Sequence, residues 1–93
     1  MRIKQVIWLN QFADKIESKH DVSRDEVEQV FLNKPAFRFA EYGHTRDEDL
    51  YRATGQTDAG RYLTVFFIYK AGGAALPLSA RDATKQERRN YGR

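Results

Sequence analysis

Arginine, lysine, histidine and tyrosine are the residues of this chain that could do chemistry, and they gather where elements of structure begin or end. Arg61 follows the turn Thr57-Asp58-Ala59-Gly60 and opens an apolar run. A guanidinium there suits a phosphate, which it binds through two parallel hydrogen bonds. It reads equally as an exposed charge beside a turn. Arg81 precedes a C-terminal helix whose first backbone N–H groups attract anions. Arg88 lies two helical turns further on, and Tyr91 shares its face. These three side chains either converge on one phosphate or make a basic helix docked by its aromatic ring. His20 falls in the last turn of another helix, where the dipole favours its protonated form. It is a dipole partner or a general acid or base. Lys19 beside it could stabilise developing negative charge. His44 sits in a polar loop, and Trp8 and the phenylalanines read as core.

The remaining composition excludes several classes. The chain has 93 residues, one domain's worth over 1–93, with 41% apolar residues for a core. It has no cysteine, so disulfides, thiolate metal sites and a cysteine nucleophile are excluded. With two histidines far apart in sequence, neither a metal nor another cofactor is expected. P-loop, dinucleotide-binding, nucleophile-elbow and zincin motifs are absent. No apolar run approaches a membrane span and no signal peptide is evident, so a cytoplasmic location is expected. The net charge of +3 is uneven: residues 1–40 carry +1, residues 41–60 carry −3 and residues 61–93 carry +5. Basic residues clustered towards the C-terminus, with a pI near 9.3, suit a nucleic-acid partner.

These residues need elements to position them. Residues 3–9 supply a short strand ending at Trp8. Asn10 is a plausible N-cap for a helix in which Phe12 and Ile16 share a face. Ser23 and Glu26 form a capping box, with Val22 and Val27 as its hydrophobic staple. That second helix stops by Lys34, before Pro35. Strands are expected over 36–40, 50–56, 62–70 and 75–80. Gly60 and Gly72-Gly73 serve the turns, and Pro77 marks an edge or a bulge. Leu63, Val65 and Phe67 alternate with Phe66 and Ile68, as in a central strand covered on both faces. Asp82 or Thr84 caps the last helix, Thr84 and Glu87 having capping-box spacing. The order predicts an α+β fold: an antiparallel meander sheet with two N-terminal helices packed on it and a C-terminal helix.

An ordered series of residues then becomes specific. Trp8 is followed by Lys19-His20-x-Val22-Ser23, Glu26 and Val30-Phe31. Later come Gly55, Gly60-Arg61, the apolar strand, Ser79-Ala80-Arg81-Asp82-Ala83 and Glu87-Arg88-x-x-Tyr91. Over residues 6–91 the series resembles the BrnT family of toxins from type II toxin–antitoxin pairs. Leu9, Phe12 and Ile16 stand where that family often has Asp, Lys and Asn. Asp49 and Leu50 stand where it often has Glu and Arg. Arg52 lies two residues beyond Leu50, on the same strand face.

The resemblance implies a RelE-like fold and a ribonuclease that arrests translation. It also implies RNA as substrate, a cognate antitoxin as partner, and operator DNA contacted through that antitoxin. It maps the basic catalytic residues to Lys19, His20, Arg61 and Arg81, with Arg52, Arg88 and Tyr91 contacting RNA. Such a site needs no metal. A 2′-hydroxyl attacks the adjacent phosphodiester, giving a 2′,3′-cyclic phosphate and a 5′-hydroxyl. Arg61 and Arg81 would hold the phosphate, His20 or Lys19 would act as base, and Tyr91 or Arg88 would assist the leaving group. The other reading is a non-catalytic RNA- or protein-binding module on the same fold.

Overall fold

The computed structural model describes residues 1–45 and 47–92. Arg46, in the polar stretch read as a loop, and Arg93 lie outside the described residues. The elements in chain order are β1 (Gln5–Val6), α1 (Asn10–His20), α2 (Arg24–Leu32), β2 (Ala36–Glu41), β3 (Leu50–Gln56), β4 (Tyr62–Lys70), β5 (Ala74–Asp82) and α3 (Lys85–Tyr91). The five strands form one sheet in the order β1-β5-β4-β3-β2. The pairs from β2 to β5 are antiparallel, as the meander requires. β1 pairs parallel to β5, an addition that the meander did not predict.

Local chemistry explains most boundaries. Ser23 Oγ accepts from the N–H of Glu26, and the Glu26 carboxylate accepts from the N–H of Ser23, so the capping box starts α2. Thr84 and Glu87 repeat this at α3. Gly60 has φ of 92°, a left-handed value that glycine adopts without strain, and it closes the β3–β4 hairpin. Two expectations need correction at the N-terminus. The first strand has only two residues, because β5 offers β1 partners only at Ala74 and Ala75. Asn10 lies inside α1 rather than capping it. Leu9 holds the cap position without a side-chain bond, and Asn10 Oδ1 accepts from Arg24 Nη2 instead. Pro77 sits at a bulge, where β5 shifts register between Phe66 and Phe67, and beyond the two residues of β5 that β1 pairs with.

Helices α1 and α2 cover one face of the sheet. Ile16, Val22, Val27 and Val30 meet Leu63, Val65 and Ala80 there, with Trp8 and Phe31 against them. On the same face, Phe67 packs edge-on to Phe31 of α2 at 5.2 Å and to Phe37 of β2 at 6.0 Å. The other face of β4 is only partly covered, contrary to the expectation of a strand enclosed on both sides. Thr64 is buried there, but Phe66 and Ile68 are half-buried. The reason is length: α3 spans seven residues and shields one end of that face. The two helical layers thus leave part of one sheet face open.

Gly55 shows how closely α2 lies on β3. A Cβ at this position would stand 3.1 Å from Pro35 Cβ and 3.3 Å from Val30 Cγ1. A branched side chain there cannot be seated without moving α2. Gly55→Val is expected to cost about 1–3 kcal/mol, the usual range for overpacking, measured as a fall in the urea unfolding midpoint.

Candidate nucleic-acid interface

Strand alternation decides which side chains share the open face. Thr64 pairs with Arg81 and Thr54, and Phe66 pairs with Arg52 and Ser79. Arg52 pairs in turn with Arg38 on β2. Arg38, Arg52 and Arg81 therefore point to the same side, away from α1 and α2.

Glu87 enters this face from the first turn of α3. It is 8% exposed and its carboxylate is fully engaged. Oε1 accepts from Thr64 Oγ1 at 2.8 Å, from the Thr84 N–H at 2.9 Å and from Arg81 Nη1 at 2.8 Å. Oε2 accepts from Arg81 Nη2 at 3.0 Å and lies 3.6 Å from Arg52 Nη1. Thr54 and Thr64 hydroxyls are 2.8 Å apart beneath it. The two-point bond to Arg81, outweighing burial and aided by the Thr84 N–H and Thr64 hydroxyl, lowers the Glu87 carboxyl from 4.5 to about 2. The same contact holds Arg81 above its ordinary range.

Arg81 also donates to the Asp82 carbonyl and lies over the Phe66 ring at 5.2 Å. Three of its five N–H groups are thus engaged, and the others have no protein acceptor among the described residues. Arg38 and Arg52 stand directly opposite across β2 and β3, a like-charge pairing that disfavours the sheet. Beside them a cleft of about 130 Å³ is lined by Arg38, Arg52, Thr54, Glu87, Asn90 and Tyr91. Three guanidinium groups around one carboxylate leave this face cationic. An anion in the cleft would relieve the repulsion.

The other expected site residues divide around the fold. Arg52, Arg81 and Tyr91 are brought to the open face or its cleft. Arg88 does not join them: it lies over the Tyr62 ring at 4.3 Å, on the side of α3 shared with Lys85 and Arg89. Tyr91 packs edge-on to Tyr62 at 6.0 Å. Arg61 is two positions from Leu63 and so faces the helical side. Its Nε donates to Asp82 Oδ1 at 2.8 Å, its Nη1 to the Asp21 carbonyl at 2.7 Å and to Glu26, and its Nη2 to the His20 carbonyl at 3.2 Å. The Asp82 bond, outweighing burial and supported by Glu26, raises the Arg61 pKa. Lys19 and His20, both exposed, end α1 beside this cluster. Arg61, Arg81 and His20 therefore do not meet around one phosphate, because β4 and β5 send Arg61 and Arg81 to opposite faces.

Arg38 was missed in the sequence. Only the register of β2 on β3 places it opposite Arg52, and the long loop between those strands hides that register. Among the described residues no three His, Asp or Glu side chains cluster as a metal site, and no helix is long and apolar enough to cross a membrane.

Comparison with known proteins follows the same lines. Residues 8–87 match the family described as "Ribonuclease toxin, BrnT, of type II toxin-antitoxin system". No curated protein matches the chain. Among solved structures, the crystal structure of the Brucella abortus ribonuclease toxin BrnT is similar, with a TM-score of 0.60 and 19% identity. The match covers 87% of this chain and 97% of that one, a likeness of fold.

Two outcomes follow from the two clamps. Because the Glu87 carboxyl is lowered, its contribution to stability is fully present above about pH 4.5 and is lost as the pH falls towards 2. Urea unfolding across that window is expected to show a loss of roughly 2–4 kcal/mol, and Glu87→Gln should flatten it. Arg61→Ala removes the tie between α1, α2 and β5. It should lower stability by about 1–3 kcal/mol in the same assay.

Proposed function

Because the chain belongs to the BrnT family of ribonuclease toxins of type II toxin–antitoxin systems, we propose that its open sheet face is the RNA-cleaving surface. RNA is the substrate class and an antitoxin the partner that the family implies. The observation that carries the reading is the pairing of Arg38 with Arg52 at a cleft of about 130 Å³, with Arg81 beside it and Glu87 the one carboxylate among the three.

In this reading Arg52 and Arg81 hold the scissile phosphate and Arg38 a neighbouring one. The 2′-hydroxyl attacks the phosphorus, the guanidinium groups stabilise the phosphorane charge, and the bond to the 5′-oxygen breaks, that oxygen taking a proton from water to leave as a 5′-hydroxyl. No metal takes part. Glu87 is too weak a base to take the 2′-hydroxyl proton, since its carboxyl is lowered to about 2 and its oxygens are occupied. The proton passes to solvent. Tyr91 borders the cleft and orients the RNA. Arg61 acts as a clamp between α1, α2 and β5, and Lys19 and His20 lie outside the phosphate's reach. Cleavage of cellular RNA then inhibits translation, and the antitoxin silences the toxin and carries it to operator DNA.

A second reading keeps the RNA and drops the chemistry. It is favoured by the cleft lining, which holds no histidine and only one carboxylate, Glu87. The test is cleavage of RNA by the purified protein with a chelator present. The wild type is expected to cut and leave 2′,3′-cyclic phosphate ends. Arg52→Ala and Arg81→Ala should each lower the rate about tenfold or more, and His20→Ala should leave it unchanged. Binding without scission by a folded wild type establishes the second reading.

A further inference from the structure

Two capping boxes occur among the described residues, and in both the glutamate also pairs with an arginine. Glu26 pairs with Arg61, and Glu87 pairs with Arg81. The surroundings differ. Arg61 commits three further donors, to the His20 and Asp21 carbonyls and to Asp82, so that four of its five N–H groups are engaged. Arg81 keeps unengaged donors on the open face, and Arg52 stands against the same carboxylate. Helix capping alone requires one glutamate oxygen at the N-cap N–H. Glu87 does more: it takes a two-point grip on Arg81 while its other contacts fix it to Thr64 on the central strand.

Resting on the reading of this face as an RNA-cleaving surface, we propose that Glu87 is a positioning residue. It holds Arg81 and Arg52 close together and correctly turned for one phosphate, without itself touching the RNA. Two guanidinium groups from β5 and β3 would repel across β4, and the carboxylate between them removes that repulsion. The fork on Arg81 fixes the guanidinium plane, as two-point contacts do. Phe66 supports that plane from below. The arrangement is assembled before RNA arrives, so no reorganisation of the arginines is needed at the phosphorane.

The test compares wild type, Glu87→Gln, Glu87→Asp and Glu26→Gln. Steady-state cleavage of one defined RNA oligonucleotide is measured with chelator present. The Arg81 Nε–H resonance is followed by NMR without RNA. Glutamine keeps a capping box, but its amide offers a single oxygen, so it cannot accept the fork. Glu87→Gln is expected to lower kcat about tenfold or more with KM unchanged or lower, because the face gains positive charge. Glu87→Asp keeps the charge but falls short of Arg81, and it should lose kcat similarly. In both variants the Arg81 resonance should shift and broaden. Glu26→Gln should keep wild-type kcat and KM. Wild-type kcat in both Glu87 variants, a loss confined to KM, or an unmoved Arg81 resonance would each overturn the proposal. Should Glu87→Gln fail to fold by far-UV circular dichroism, Glu87→Asp decides by the same readings. A folded wild type that cuts no RNA overturns the nuclease reading itself, and with it any part for Glu87 in cleavage.

Discussion

Alternation along two adjacent strands organises this molecule. β4 and β5 send Leu63, Val65, Phe67 and Ala80 to the helices, and Thr64, Phe66 and Arg81 to the other side. A one-residue slip would bury Arg81 among valines and expose the core, so the register is held strongly. The bulge after Pro77 precedes Arg81 in β5 and reverses the alternation there, so that Pro77 and Ala80 both lie on the helical side and Arg81 on the other. Hydrophobic burial thus sets the direction of the arginines, although none of them contributes to the core.

The charged residues divide along the same boundary. On the helical side, Arg61 closes the gap between α1 and α2 by donating to the carbonyls that end α1 and to the glutamate that starts α2. That use suits a guanidinium, whose planar fan of donors reaches several acceptors at once. On the open side the same residue type meets fewer acceptors, and its positive charge stays available. What distinguishes the two sides is the supply of backbone oxygens, which helix ends provide and the middle of a sheet face does not.

Much of this was legible from residue types. The limits of β3 and β4 follow from the turn at Gly60, and those of α2 and α3 from their capping boxes, because these signals are local. The short first strand was not legible: its length depends on β5, a distant partner. The sidedness of Arg61 was written in its spacing from Leu63, yet a guanidinium after a turn carries no sign of the carbonyls that will meet it. Arg38 gave no signal alone, since a register across a long loop is a tertiary property. Arg81 and Glu87 looked like separate features. Only the turn from strand to helix brings them together.

The pairing of β1 with β5 bears on when the protein can act. Gln5 lies beside Ala74, so the first of the described strands waits for the last. Arg81 and Glu87 also come from the final stretch of chain, and β5 must dock on β4 before they share a face. During synthesis the early helices emerge without the sheet centre that they cover, and contacts between distant segments form late. The cationic face therefore has no existence before the sheet closes: β2 and β3 bring Arg38 and Arg52, and only the docking of β5 sets Arg81 and Glu87 among them.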